Sequence, residues 1–167
     1  MINLISLIDA LSDYGIRYLV AGGVAVTLHG VERSTVDLDL IIDFDPDNIK
    51  KFMNVLKVLG YRPKIPVKPE LFADPIKRNE WIKKKGMVVF SFCHKDQMLD
   101  VIDIFVYHPR PFIDMEKRRK NVKAGRFVIP IVSIDDLIFM KKEAGRKQDL
   151  ADIRVLNKIK RFQKKGK

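Results

Sequence analysis

Tyr18-Leu19-Val20-Ala21-Gly22-Gly23 leads into Val24-Ala25-Val26-Thr27-Leu28-His29-Gly30, then Val31-Glu32-Arg33-Ser34-Thr35-Val36, then Asp37-Leu38-Asp39-Leu40-Ile41-Ile42. The stretch reads as an apolar strand, a glycine turn, a short helix and an acidic strand in immediate succession. Side chains alternate along a strand, so Asp37, Asp39 and Ile41 share one face while Leu38, Leu40 and Ile42 occupy the other. The apolar face can be buried. The two carboxylates then stand side by side, which is unfavourable unless one protonates or a cation lies between them. Mg²⁺ is the natural cation, because it prefers oxygen ligands and takes one or two carboxylates together with phosphate oxygens and water. Gly22 and Gly23 suit phosphate recognition, since a backbone without Cβ permits close approach and the following helix adds favourable partial charge at its start. A turn that exposes backbone N–H groups, coupled to paired carboxylates, therefore points to a metal-bound nucleoside triphosphate.

A second alternating run, Met98-Leu99-Asp100-Val101-Ile102-Asp103-Ile104-Phe105-Val106, carries further acids. Asp103 lies mid-strand among apolar neighbours, where an ionised carboxylate is costly without a cation. Asp100 has the opposite parity and stands at the strand's entrance, where a solvent-facing or capping role is expected. Asp103 is thus favoured over Asp100 as the third ligand. Arg33 and Thr35 immediately precede the acidic strand and either reach the phosphates or hold the turn.

Gly22-Gly23, the thirteen-residue interval to Asp37-x-Asp39 and the later Asp103 resemble the nucleotidyltransferase superfamily typified by DNA polymerase β, in its small prokaryotic branch. The segment from Ser133 to Ile153 is similar to the Lys-x-x-Ala-x-Arg-x-x-Asp-x-x-Asp pattern of abortive-infection nucleotidyltransferases, which include toxins of toxin–antitoxin pairs. Lys141, Ala144, Arg146, Asp149 and Asp152 match it in order. The resemblance implies that Gly22 and Gly23 hold the triphosphate, that Asp37, Asp39 and Asp103 bind Mg²⁺ or Mn²⁺, and that Asp103 helps to activate an acceptor hydroxyl. It makes Lys141 and Arg146 the basic contacts to nucleotide or to partner helices. Nothing in the chain resembles a fingers or template domain, so template-directed synthesis is not expected.

With 167 residues, 47% of them apolar, the chain can bury one core, and a single domain is the default: a mixed-sheet core over 1–132 and a C-terminal helical segment over 133–167. Alternating strands and helices give an α+β or α/β class, which the resemblance narrows to an α+β fold with a mixed, twisted sheet of about four or five strands flanked by helices. The lone Cys93 lies in an apolar strand-like run and excludes an internal disulfide or zinc site; a reducing, cytoplasmic compartment fits. No apolar run approaches the ~18 residues of a spanning helix, and no membrane partner is expected.

Charge is unevenly placed. Residues 1–60 hold 5 Lys/Arg against 8 Asp/Glu, residues 61–128 hold 16 against 8, and residues 129–167 hold 11 against 5. The acids of the candidate metal site thus belong mainly to a negative third of a chain whose net charge is +11. Lys83-Lys84-Lys85, Lys117-Arg118-Arg119-Lys120 and the tail from Lys158 to Lys167 either form solvated faces or track an RNA backbone or a partner protein.

Locally, Leu4, Leu7, Ile8 and Leu11 predict a first helix, and Asp45 or Asp47 is expected to cap a helix from about Asn48 to Leu59. Four prolines make Arg62 to Arg78 an irregular excursion, readable as a mobile flap. Asn121 to Ile131 predicts a hairpin turning at Ala124-Gly125, and Ser133 with Asp136 opens a helix that Gly145 interrupts. A last helix is expected from about Lys147 to Arg161. His29 is expected to bond free carbonyls, Trp81 to pack under the proline-rich segment, and Asp149 and Asp152 to pair with Arg146 or the tail.

Overall fold

The computed structural model describes residues 4–35 and 37–165. Val36, and the Gly166 and Lys167 end of the basic tail, lie outside the described residues. The element order is α1 (Leu4–Asp13), β1 (Tyr18–Val20), α2 (Gly22–Leu28), β2 (Leu38–Ile42), α3 (Pro46–Val58), β3 (Tyr61–Pro63), α4 (Pro75–Lys85), β4 (Val89–His94), β5 (Val101–Phe105), α5 (Phe112–Arg118), β6 (Lys120–Ala124), β7 (Phe127–Ile131), α6 (Ile134–Ala144) and α7 (Lys147–Lys165).

One mixed sheet runs in the order β3-β4-β5-β2-β1-β7-β6. β2 pairs in parallel with β5 and antiparallel with β1, and β1 pairs in parallel with β7. The architecture is α+β, as expected, but the sheet has seven strands rather than four or five. The short edge strand β3 is not among the expected strands, and the expected β6–β7 hairpin extends the same sheet, with its turn at Gly125-Arg126, one residue later than the sequence suggests.

Leu38, Leu40 and Ile42 are fully buried, with Leu7, Ile8 and Leu11 of α1 and Phe52 and Leu56 of α3 in the same core. The caps are formed as the sequence indicates. Asp45 accepts from the backbone N–H groups of Asp47 and Asn48, and Ser133 Oγ accepts from the Asp136 N–H at 3.1 Å. Gly145 ends α6 in the left-handed region at φ +64°.

The proline-rich segment is ordered, not an irregular excursion. Pro63 ends edge strand β3, Pro69 opens a 3₁₀ turn over Pro69–Ala73, and Pro75 opens α4 behind an Asp74 cap. Each of these three prolines occupies a position where its missing N–H leaves no ladder broken. Phe72 is fully buried, and Trp81 stacks on Phe90 with ring centroids 5.1 Å apart, so this segment is packed onto the core. Among the described residues, no helix is long and apolar enough to cross a membrane.

Candidate active site

β1 stops at Val20, and the Ala21 N–H donates to the Asp39 carbonyl at 2.9 Å, so the chain turns at Gly22 directly beside β2. Gly22 has φ +58° and opens α2. A β-carbon built there would stand 1.8 Å from Asp39 Oδ2, and one at Gly23 would stand 2.5 Å from Thr35 Oγ1 and 3.2 Å from the Arg33 guanidinium carbon. Both glycines are therefore required by close approach. In this structure the approaching groups are the protein's own Asp39, Thr35 and Arg33.

Parallel pairing of β2 with β5 sets Asp39 opposite Asp103 in register. Asp37 lies one residue before β2 and is exposed. All three line a cavity of about 590 Å³, together with Gly22, Gly23, Arg33, Thr35, Lys141 and Arg146, so every residue singled out for the site borders one space. Its remaining wall is largely apolar: Val88 and Val89, Phe105 and Tyr107 at the end of β5, and Leu137, Phe139 and Met140 on α6. No local sequence pattern signals that wall.

The electrostatics set Asp39 apart. Burial pushes its carboxyl up to about 6, and repulsion from Asp103 and Asp37 adds to the rise, against a hydrogen bond from the Gly23 backbone and the charge of Arg146. Asp103 is also raised, chiefly by burial, while a hydrogen bond from Ser91 on its other flank pulls it down. Ser91 is the register partner of Asp103 on β4. Oδ1 of Asp103 is buried and, among the described residues, has no hydrogen-bond partner. A partnerless carboxylate oxygen beside a second destabilised carboxylate is suited to a hard cation, whose preferred donors are oxygen. The side chains as they stand do not close into a cage: among the described residues, no three His, Cys, Asp or Glu are grouped to hold a metal.

Asp100 behaves differently from expectation. It is not solvent-facing but buried at 3% exposure, and its Oδ1 accepts from the Tyr61 hydroxyl at 2.9 Å. Its parity sends it to the sheet face opposite Asp103, where Tyr61 of the edge strand supplies the partner that burial requires.

The basic residues form a linked series. Arg33 Nη1 donates to Asp152 Oδ2 at 2.7 Å, and Lys141 Nζ donates to that same Asp152 oxygen at 2.6 Å and to Asp149 Oδ1 at 3.1 Å. Arg146 Nε donates to Asp149 Oδ2 at 2.8 Å, and the Arg146 backbone N–H donates to that oxygen too, so Asp149 also caps α7. Lys141 is 4% exposed, and its ammonium faces these two carboxylates. Arg146 instead has a side chain 75% exposed at the cavity wall, with its charge felt at Asp39. Burial pushes Asp149 up, but hydrogen bonds from Arg146 and Lys141 outweigh it and hold its carboxyl below the usual range. His29 Nε2 lies 2.8 Å from the Val132 carbonyl, the carbonyl role expected of it, though on the strand-to-helix link after β7 rather than on its own helix.

No protein-family profile matches the sequence, and no curated protein matches it by sequence. Solved structures do match the fold. The lincosamide antibiotic adenylyltransferase LnuA, solved with lincomycin bound, superposes with a TM-score of 0.62 at 17% identity, over 93% of this chain and 95% of that chain. A putative nucleotidyltransferase from Thermotoga maritima gives 0.57 at 15% identity, over 95% and 96%. ANT(2″)-Ia, in complex with adenylyl-2″-tobramycin, gives 0.59 at 11% identity, over 94% and 90%. The chain shares the fold of these nucleotidyltransferase structures.

Proposed function

We propose that this chain is a nucleotidyltransferase that moves a nucleoside monophosphate from a nucleoside triphosphate to an acceptor hydroxyl. The observation that carries the reading is the register pairing of Asp39 with Asp103 beside the Gly22 turn, in one cavity, with Asp103 Oδ1 buried and unpartnered among the described residues. One neighbour of the fold is described as an adenylyltransferase and another was solved in complex with an adenylylated compound, which supports transfer of a nucleotide as the chemistry.

Asp37, Asp39 and Asp103 would hold Mg²⁺ or Mn²⁺. When bound, such an ion supplies a lowered pKa for the attacking hydroxyl and charge neutralisation for the departing pyrophosphate. The protein's own share is positioning. Gly22 and Gly23 let the turn pack directly against Asp39 and Thr35, which keeps its backbone at the cavity edge where phosphate would bind. Arg146, exposed at the wall and opposed to Asp39, is placed to meet phosphate charge. Arg33 and Lys141 hold the loop before β2, α6 and α7 together and thereby fix the cavity's shape. The acceptor oxygen bonds to the α-phosphorus, the bond from that phosphorus to the pyrophosphate oxygen breaks with its electron pair, and the hydroxyl proton is lost to solvent with the help of the Asp103 carboxylate.

Incubation with α-labelled nucleoside triphosphates, Mn²⁺ and cell extract tests the reading. Label should enter an acceptor with release of pyrophosphate, and Asp39→Asn should abolish it. Binding of nucleotide without pyrophosphate release under any acceptor would replace this reading with a non-catalytic binding module. Equal labelling by the Asn variant would remove Asp39 from the site.

A further inference from the structure

The reaction leaves unused a row of basic residues that leads away from the cavity wall. Pro109 lines the cavity, and Arg110 follows it. The Arg110 guanidinium lies 4.1 Å from the ring centre of Phe139, itself part of the cavity wall. From there α5 leads to Arg118, whose Nη2 meets Asp136 Oδ1 at 2.8 Å, the same oxygen that Arg110 Nη1 meets at 3.1 Å. Two guanidinium groups thus converge on one carboxylate that is fully buried at the start of α6. One negative charge is shared between two positive ones, and both arginine side chains remain about a third or more exposed. Lys117 and Lys120 flank Arg118, are exposed, and take part in none of the ion pairs among the described residues. β6 begins at Lys120, which pairs with Ile131, the residue that pairs with Val20 at the end of β1. The row therefore sits at the same end of the sheet as the Gly22 turn.

Aromatic surface adjoins it. Tyr107 is 36% exposed and packs edge-on against half-buried Phe105, both in the cavity wall with Phe139. A positive track beside ring faces matches a chain of phosphates carrying bases, because phosphates follow the charges and bases stack on the rings. A lipid surface would meet the charges but has nothing to stack, and a polycationic acceptor would be repelled.

We propose that the acceptor is single-stranded RNA, laid along Lys120, Lys117, Arg118 and Arg110 with its terminal base against Tyr107 and Phe139 and its terminal hydroxyl in the cavity. The inference rests on the nucleotidyl-transfer reading and names its acceptor. That hydroxyl forms the new bond to the α-phosphorus, pyrophosphate leaves, and the RNA grows by one nucleotide for each pyrophosphate released.

The test uses the full chain and a fluorescent single-stranded RNA of about twelve nucleotides, without triphosphate, read by anisotropy. Lys117→Glu with Lys120→Glu should weaken binding at least tenfold and flatten the dependence of log affinity on log salt by about 0.7 for each phosphate no longer neutralised. The charge-matched control is Lys51→Glu with Lys57→Glu on α3, which contributes nothing to the cavity; it should change affinity by less than about twofold. Equal weakening by both pairs would mean binding to net charge alone and would overturn the proposal. So would tight binding to vesicles rich in phosphatidylserine with none to RNA. Because arginine removal strands Asp136, Tyr107→Ala serves as a second probe, expected to weaken RNA binding while leaving the thermal midpoint near that of the parent. Adding triphosphate and Mn²⁺ separates the two readings: label in a small molecule but never in RNA sinks the acceptor assignment alone, whereas no label in any acceptor sinks the transfer reading itself.

Discussion

Gly22 and Asp39 fit so closely that a β-carbon on the first would lie 1.8 Å from Oδ2 of the second. The turn and the acidic strand are thus one object: any side chain at Gly22 must displace the carboxylate that the cavity is built around.

Gly22→Ala should therefore cost more than backbone strain. Gly15 shares its conformation, at φ +60°, but a β-carbon there meets nothing within 4 Å. Gly15→Ala is expected to cost about 1 kcal/mol through φ alone. Gly22→Ala should lose at least about 3 kcal/mol or, if Asp39 swings away, retain the fold and lose nucleotidyl transfer. Paired urea melts and transfer assays distinguish these outcomes, and equal costs at the two glycines would contradict the crowding.

Asp39 gives a pH dependence with a definite sign. Its carboxyl is raised to about 6 in the fold, above the usual carboxylate value near 3.8, so folding favours the protonated form. That contribution is complete below about pH 4 and is lost as pH rises through 6, amounting to about 3 kcal/mol. Asp39→Asn should match the parent's stability near pH 4 and exceed it above pH 6, while transfer falls by ~10³-fold, about 4 kcal/mol. Denaturant midpoints across this range check the first half.

Asp103→Asn should stabilise the chain in the same direction, since its carboxyl is raised by burial with Asp37 adding repulsion. Asp39 and Asp103 also repel each other, so the gains from the two Asn variants should not add. The double variant is expected to fall short of the sum by about 1 kcal/mol. Strict additivity in thermal melts would mean that the two carboxylates do not interact.

Lys141 predicts a large loss. Replacing it by Met leaves Asp149 and Asp152 buried without their shared cation, a change that costs about 3–5 kcal/mol. At about 2–4 °C per kcal/mol for a chain of this size, the melting point should drop by roughly 10 °C. Adding Asp149→Asn and Asp152→Asn to Lys141→Met should recover part of it. A small shift for the single variant would mean that Lys141 is held by less than its hydrogen bonds suggest.

The parts of the site that depend on strand parity were legible in the sequence. Leu38, Leu40 and Ile42 turn inward, Asp39 turns to the cavity, and Asp103 lands opposite it because parallel pairing conserves parity. Caps at Asp45 and Ser133 were also legible, since they depend on residues one turn away. What escaped depends on distant partners. Asp100 reads as solvent-facing because nothing local announces Tyr61, 39 residues earlier. The destination of the Lys141 charge is settled by α7 folding back along α6. Ser91 gives only a weak signal, one hydroxyl interrupting an apolar strand, yet it stands beside Asp103. The proline-rich segment misleads for a different reason: prolines that begin helices and end edge strands read, one by one, like prolines that prevent both.

Arg33 and Asp152 meet across 119 residues of chain. The loop that carries Arg33, and with it Thr35 beside the glycine turn, is tied down by a residue that is synthesised long after it. A chain still emerging from the ribosome, or one cut before α7, holds Asp37, Asp39 and Asp103 but lacks both Asp149 and the clasp that fixes their surroundings, so the cavity takes its final shape only once α7 has been made.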